Sequence, residues 1–310
     1  MSMLAQWSIR NRCRFHCRRQ LLRTFHSSSS RLTDSKVHPV KGSSENSPNT
    51  PVFDEKEGLG SLTRPLGVRE RPTTVVKSTT QKLKDLMDTD VRMAQRRHLI
   101  KEASKGYFHD LNMTRKHGGK TWIAPKVLIR EDKALYLPNI SGKSLLDASV
   151  KNTTELCYGK VSVVAMLGTK ISEHHAKAFT DLTNSRFTSN PHYQYIQINL
   201  QENMMKAFLV NLFLSQLRRV IPAEQHSNYL VSGQNMEYVR EAIGMTNTKV
   251  GYVYLIDENL RIRWAGCADP KADEIRALEN CTGVLLNRLG SQRTKAQSRA
   301  SPKSVEEAQR

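Results

Sequence analysis

The sequence predicts an α/β domain, a mixed sheet flanked by helices, with an N-terminal helical extension and disordered tails. Three observations carry this. Residues 160–167 form an almost continuous apolar run, as a strand covered on both faces requires. Residues 193–199 alternate with period two, the mark of a second strand. Residues 250–256, the turn Asp257-Glu258-Asn259, and then Leu260, Ile262 and Trp264 alternating with Arg261 and Arg263 read as a hairpin.

The remaining elements follow in chain order. Residues 34–75 are rich in Ser, Pro, Thr and charge without apolar period, which describes a linker. A helix is expected over 81–105, with Ser78 and Gln81 at capping-box spacing and Gly106 at its end. Leu83, Leu86, Met87, Val91 and Ala94 make one apolar stripe that should dock, opposite a solvated basic face of Lys82, Lys84, Arg92, Arg96 and Arg97. Residues 126–130 and 134–137 suggest a short hairpin about Glu131-Asp132. Ser172 should cap a helix through Arg186 with Ala176, Phe179 and Leu182 turned inward. Residues 204–219 are a strongly apolar helix, stopped by Pro222. A short strand over 229–232 and a short helix over 236–243 follow, the latter closed by Gly244. Asp269-Pro270 begins a final helix that buries Ile275, Leu278, Cys281 and Leu285, with Gly290 as its stop.

Composition narrows the function classes. Hydrophobic residues make up 38% of 310, enough for a core in part of the chain. No run approaches the ~18 apolar residues of a spanning helix, so any membrane contact should be peripheral. The net charge of +19 divides as +7 over 1–33, +5 over 34–119, +4 over 120–290 and +3 beyond. The globular part is therefore only mildly basic, and no nucleic-acid partner is expected. The first 33 residues hold seven Arg, a serine cluster and no acid, the composition of a mitochondrial transit peptide. The inner-membrane potential favours import of such charge by about 2.3 kcal/mol per charge per 100 mV. The run from Arg23 through Phe25 to Ser28 resembles a two-step processing pattern, with cuts after Thr24 and Leu32. The expected domains are then a transit peptide over 1–32, a disordered linker over 33–76, a helical extension over 77–119, the α/β domain over 120–290 and a disordered tail over 291–310.

Strand, helix, strand, helix, then a strand hairpin and a closing helix is the thioredoxin-like order. Residues 250–272 resemble the last third of peroxiredoxin-like and copper-chaperone-like relatives, which place a reactive thiol at the first helix N-terminus. Here that position reads Gly168-Thr169-Lys170-Ile171-Ser172, and the loop Thr246-Asn247-Thr248-Lys249 lacks the proline of thioredoxins. Cys157, Cys267 and Cys281 show no Cys-x-x-Cys spacing. Dithiol catalysis is therefore not expected. Ser141-Gly142-Lys143-Ser144 imitates the end of a phosphate loop, but Leu137 stands where its first glycine belongs. His174 and His175 are adjacent and point about 100° apart on a helix, poorly placed to share a metal. A copper or zinc site with Cys157 or Cys267 is the alternative there; otherwise no cofactor is called for. Tyr107, Phe108 and Tyr136, with Pro138, could form an exposed aromatic patch that binds a partner, or could pin the long helix onto the hairpin.

Residues 83–289 resemble one family more closely, through Arg97-His98-Leu99-Ile100-Lys101-Glu102, Lys105-Gly106-Tyr107-Phe108-His109-Asp110-Leu111, Ala134-Leu135-Tyr136-Leu137-Pro138-Asn139 and Val250-Gly251-Tyr252-Val253-Tyr254-Leu255-Ile256-Asp257. These motifs resemble the Atp-ten family, the fungal and plant assembly factors for the Fo sector of mitochondrial ATP synthase. The resemblance implies a matrix-facing chaperone peripheral to the inner membrane. It would bind the mitochondrially encoded proton-channel subunit and help it join the ring of small subunits, with no catalysis. A divergent thiol enzyme and a mitochondrial RNA- or ribosome-binding protein are the alternatives.

Overall fold

The computed structural model describes residues 59–74, 87–103, 109–201 and 214–300, with Ser78, Thr80 and Lys84. Arg23, Phe25, Ser28, Tyr107, Phe108 and residues 204–213 lie outside these. The first helices are α1 (Thr89–Ala103) and α2 (His109–Arg115). After them come β1 (Ser141–Ser144), β2 (Val150–Asn152), α3 (Thr153–Cys157), β3 (Val161–Leu167) and α4 (Lys170–Phe187). The chain continues through β4 (Tyr193–Leu200), α5 (Leu214–Val220), β5 (Tyr229–Ser232) and α6 (Glu237–Arg240). It closes with β6 (Tyr252–Ile256), β7 (Ile262–Cys267) and α7 (Ala272–Ala300).

The sheet order is β2-β1-β5-β4-β3-β6-β7. β3 lies parallel to β4 across the α4 crossover, and β6 runs antiparallel between β3 and β7. A parallel pair joined by a helix and extended by an antiparallel hairpin is the thioredoxin-like arrangement. β1 and β2 were invisible to apolar patterning because Ser-Gly-Lys-Ser has none. β1 becomes a strand by pairing with β5 and β2, so the phosphate-loop imitation is a length of sheet.

Alternate residues of each strand feed two cores. Val163, Ala165 and Leu167 meet Phe179 of α4 and Leu278 and Leu285 of α7. Gly266 makes this packing possible, since a Cβ there would stand 2.8 Å from both the Phe179 and the Trp264 rings. Val164, Met166, Ile196, Ile198, Tyr252 and Tyr254 face the other way. Among the described residues, extended chain contributes Leu66, Trp122, Leu137 and Ile140 to that second face.

Tertiary pairing changes several sequence expectations. Residues 59–74 fall within the expected linker, yet Leu66 is 1% exposed and Val68 pairs with Tyr136. A single apolar residue seated against Trp122 gives no periodic signal. The expected 126–137 hairpin closes only at its turn, where the Ala134 N–H donates to the Arg130 carbonyl at 2.9 Å. Both legs bond instead to the β7 edge, Ile129 N–H to the Arg263 carbonyl and Leu137 N–H to the Leu260 carbonyl. They thereby cover an edge that would otherwise present unpaired groups. A bulge opposes Leu255 to Trp264 and Ile256 to Ile262, skipping Arg263. Ile262 and Trp264 consequently enter opposite cores, and Arg263 is buried against Asp257 at 3.1 Å. On α4, Thr183 is buried and Leu182 is exposed, because the i, i+3, i+7 row from Ala176 runs through Phe179 to Thr183. α7 runs past Gly290 to Ala300, into the expected disordered tail. A helical glycine costs only about 1 kcal/mol against alanine, too little to stop a helix by itself.

Candidate functional site

The N-terminus of α4 is where a thioredoxin-like enzyme would hold its thiol. Thr169, rather than Ser172, is the N-cap, and its hydroxyl accepts the Ser172 N–H at 3.1 Å. Ser172 completes a capping box, its hydroxyl oxygen accepting the Gly168 and Thr169 N–H groups at 2.9 Å each. The Thr169 hydroxyl donates to the Lys249 carbonyl at 2.9 Å, tying the helix start to the 246–249 loop. The N–H groups of Gly168, Thr169 and Ser172, around the position of a thiol, therefore serve the chain's own capping box. The Thr-x-x-Ser spacing carried this signal, read one turn out of phase.

The three cysteines among the described residues, Cys157, Cys267 and Cys281, are buried and free. Cys157 and Cys267 belong to one core and Cys281 to the other, so the sheet separates them. Burial pushes the Cys157 thiol up to about 12 and the Cys281 thiol up to about 11. Both stay protonated at neutral pH, and a thiol is a poor nucleophile. Among the described residues no three His, Cys, Asp or Glu side chains converge as metal ligands. His174 is exposed, whereas buried His175 accepts the Gly251 N–H at Nδ1 over 3.4 Å. Burial holds the His175 imidazole below its usual range, partly offset by Asp269.

The expected aromatic patch divides. Pro138 is buried and Tyr136 half-buried, its ring 5.5 Å beneath the Arg261 guanidinium and its backbone bonded to Val68. Tyr136 bridges to Arg261 at the β7 side, and the Pro138 carbonyl accepts the Thr153 hydroxyl at 3.4 Å, so neither is the exposed residue the sequence suggested. The long helix, expected to share in a partner-binding surface, exposes other apolar residues than the expected stripe. Met93 is 49%, Leu99 48% and Ile100 61% exposed, among exposed Arg92, Arg96 and Arg97. The expected stripe had Val91 and Ala94 turned inward. Val91 and Gln95 are half-buried and Ala94 exposed, so the buried row is displaced by about one residue. Periodicity failed there because arginines separate the apolar residues.

A second polar feature also escaped the sequence. The Lys120 ammonium donates to the Cys267 carbonyl at 3.1 Å, the Asp269 carbonyl at 2.8 Å and Glu274 Oε2 at 2.8 Å. Glu274 also accepts the Ala124 and Lys271 N–H groups at 2.7 Å each. The pair is 6% and 3% exposed with its hydrogen bonds made, a clasp between residues 120–124 and the start of α7. Only the fold brings residues 154 positions apart together.

Thiol-disulfide proteins are among the solved structures to which the chain shows a low similarity. One is a putative thiol:disulfide interchange protein DsbE from Chlorobium tepidum, with TM-score 0.37 and 14% identity, covering 49% of this chain and 96% of that one. A secreted thiol-disulfide isomerase from Corynebacterium glutamicum has TM-score 0.37 and 11% identity, covering 52% and 91%. Sequence relatives are nearer. The mitochondrial ATPase complex subunit ATP10 of Saccharomyces cerevisiae is 31% identical over 236 residues, covering 71% of this chain and 85% of its own length. Its Candida glabrata namesake is 29% identical over 229 residues, covering 72% and 84%. The probable mitochondrial ATPase complex subunit atp10 of Schizosaccharomyces pombe is 28% identical, covering 76% and 87%. A family model described as ATP10 protein matches residues 46–285, a span that takes in the Leu66 strap, the helical arm and nearly all of the thioredoxin-like sheet and its helices; the chain belongs to that family.

Proposed function

We propose that this protein is an assembly factor for the Fo sector of mitochondrial ATP synthase. It binds the mitochondrially encoded proton-channel subunit from the matrix side of the inner membrane, as a peripheral protein, and promotes union with the ring of small subunits. Family membership supports the setting, since the relatives carry the name of mitochondrial ATPase complex subunits. No described helix is long and apolar enough to cross a membrane. The single observation that carries the binding role is α1, which holds Met93, Leu99 and Ile100 in solvent beside arginines. Methionine and arginine are enriched at interfaces, and an apolar face left open on a folded protein is available to a client. Tyr107 and Phe108, which follow α1 in sequence, belong to the proposed contact; Tyr136 and Pro138 do not. The role is non-catalytic. Buried high-pKa thiols and a helix N-terminus occupied by its own caps favour this over a thiol enzyme.

The test is a tagged pull-down from detergent-solubilised mitochondria in which newly made mitochondrial translation products carry radiolabel. The proton-channel subunit is expected as the main labelled band, and Met93→Ser/Ile100→Ser should lose it. Equal recovery of many labelled products, or of ribosomal RNA, would move the protein to general translation.

A further inference from the structure

A cavity of about 410 Å³ opens between α4 and α5, over a floor from β4 and β5. None of its described lining residues comes from α1 or α2. Its two walls differ in chemistry. The α4 wall presents Glu173, Lys177 and Asp181, one per turn along about 12 Å of helix. The facing wall is apolar, through Leu217, Val220 and Ile221. The floor holds Tyr195 and Tyr229.

The charged wall is not spent on the chain's own contacts. Among the described residues, the side chains of Glu173, Lys177 and Asp181 form no ion pair and no hydrogen bond. Burial raises the Glu173 carboxyl above its usual range, against the pull of Lys170. Burial also pushes the Tyr229 hydroxyl up to about 12, and the Glu173 carboxylate adds to that shift, so its charge reaches the floor. The tyrosine hydroxyls accept N–H donors of the chain itself, Gln197 Nε2 on Tyr195 at 3.0 Å and Asn199 Nδ2 on Tyr229 at 3.1 Å. What the two tyrosines leave for a ligand is aromatic surface.

From this arrangement we infer that the cavity receives a lysine or arginine side chain of a protein partner. A long basic side chain has the matching parts. Its aliphatic stem suits the Leu217–Ile221 wall, and its cationic head suits the two carboxylates and the tyrosine faces. Lys177 stands between the acids, so the wall keeps one net negative charge and favours a cation. The volume lies within the range of ligand pockets that combine apolar walls with a few polar groups. This site goes beyond the assembly-factor reading, since it uses neither α1 nor a particular client.

The experiment uses the full chain with isotope-labelled tyrosine rings, and Tyr195→Phe and Tyr229→Phe assign the two signals by NMR. The probe is a capped glycine–arginine–glycine peptide, compared with the same peptide carrying citrulline, which is similar in shape and uncharged. The arginine peptide should shift both signals saturably and the citrulline peptide should not. Glu173→Gln with Asp181→Asn should weaken binding about tenfold, and Lys177→Gln should tighten it. Both acids are exposed, so circular dichroism should report a folded domain in the double variant. The absence of a saturable shift, or equal shifts by both peptides, would overturn the site. Undiminished binding in the folded double variant would overturn it as well. Spermidine binding more tightly than the arginine peptide would overturn the protein partner in favour of a free polyamine.

Discussion

The sheet domain and the α1 arm put their apolar residues to opposite ends. In the domain, β3 and β6 are buried along their whole lengths, and even Arg263 and Asp257 enter the interior as a bonded pair. In the arm, Met93, Leu99 and Ile100 remain in water between arginines. Apolar residues seal a core when β pairing brackets them on both sides. On a helix interrupted by charge they stay exposed, at little cost to the fold. The difference teaches where stability and the proposed recognition are divided in this protein, with the Lys120–Glu274 clasp at the start of the sheet domain.

Perturbations of the two regions should therefore separate. The largest effect is expected at the clasp. Glu274→Ala leaves a buried ammonium without its carboxylate and should cost about 3–5 kcal/mol, read as a lower urea midpoint. Replacing both partners, Lys120→Met with Glu274→Leu, should recover much of that loss, which would identify an electrostatic rather than a packing defect. Next comes Leu66→Ala in the strap, expected to cost about 2–5 kcal/mol in the same assay. A negligible loss would show that residues 59–74 contribute nothing to the second face.

A pH effect should follow from His175. Its folded-state pKa lies below the ordinary value of 6.5, so below that value the unfolded chain binds more protons than the folded one. The His175 contribution is thus intact above pH 6.5 and is lost as pH falls towards the folded pKa. His175→Asn should flatten the slope of melting temperature against pH in that window, and an unchanged slope would remove His175 as its source. Ile100→Ser in the arm should have the smallest stability effect, within about 0.5 kcal/mol, while weakening client recovery. Loss of stability comparable to Leu66→Ala would mean that α1 is part of the core after all.

Much of the fold was legible because its signals are local. The runs 160–167 and 193–199 specify strands by composition and period, and Asp257-Glu258-Asn259 marks a turn by its chemistry. The missing redox cysteine and loop proline were readable as plain absences. β1, the strap about Leu66 and the bulge at Arg263 were not. Each is formed by a partner far along the chain, so no window of neighbouring residues contains the cause. The same reason hid the candidate site. The exposure of Met93 and Ile100 and the burial of Pro138 are set by the fold and not by their sequence neighbours.

The amino-acid order by itself determined the thioredoxin-like succession of elements, the lack of a Cys-x-x-Cys pair and the family motifs, because propensity, periodicity and residue identity are properties of short segments. Tertiary structure alone decided which apolar residues are buried and that Lys120 meets Glu274. Those outcomes arise from pairing between distant parts of the chain, where burial and desolvation act only once the partners have met.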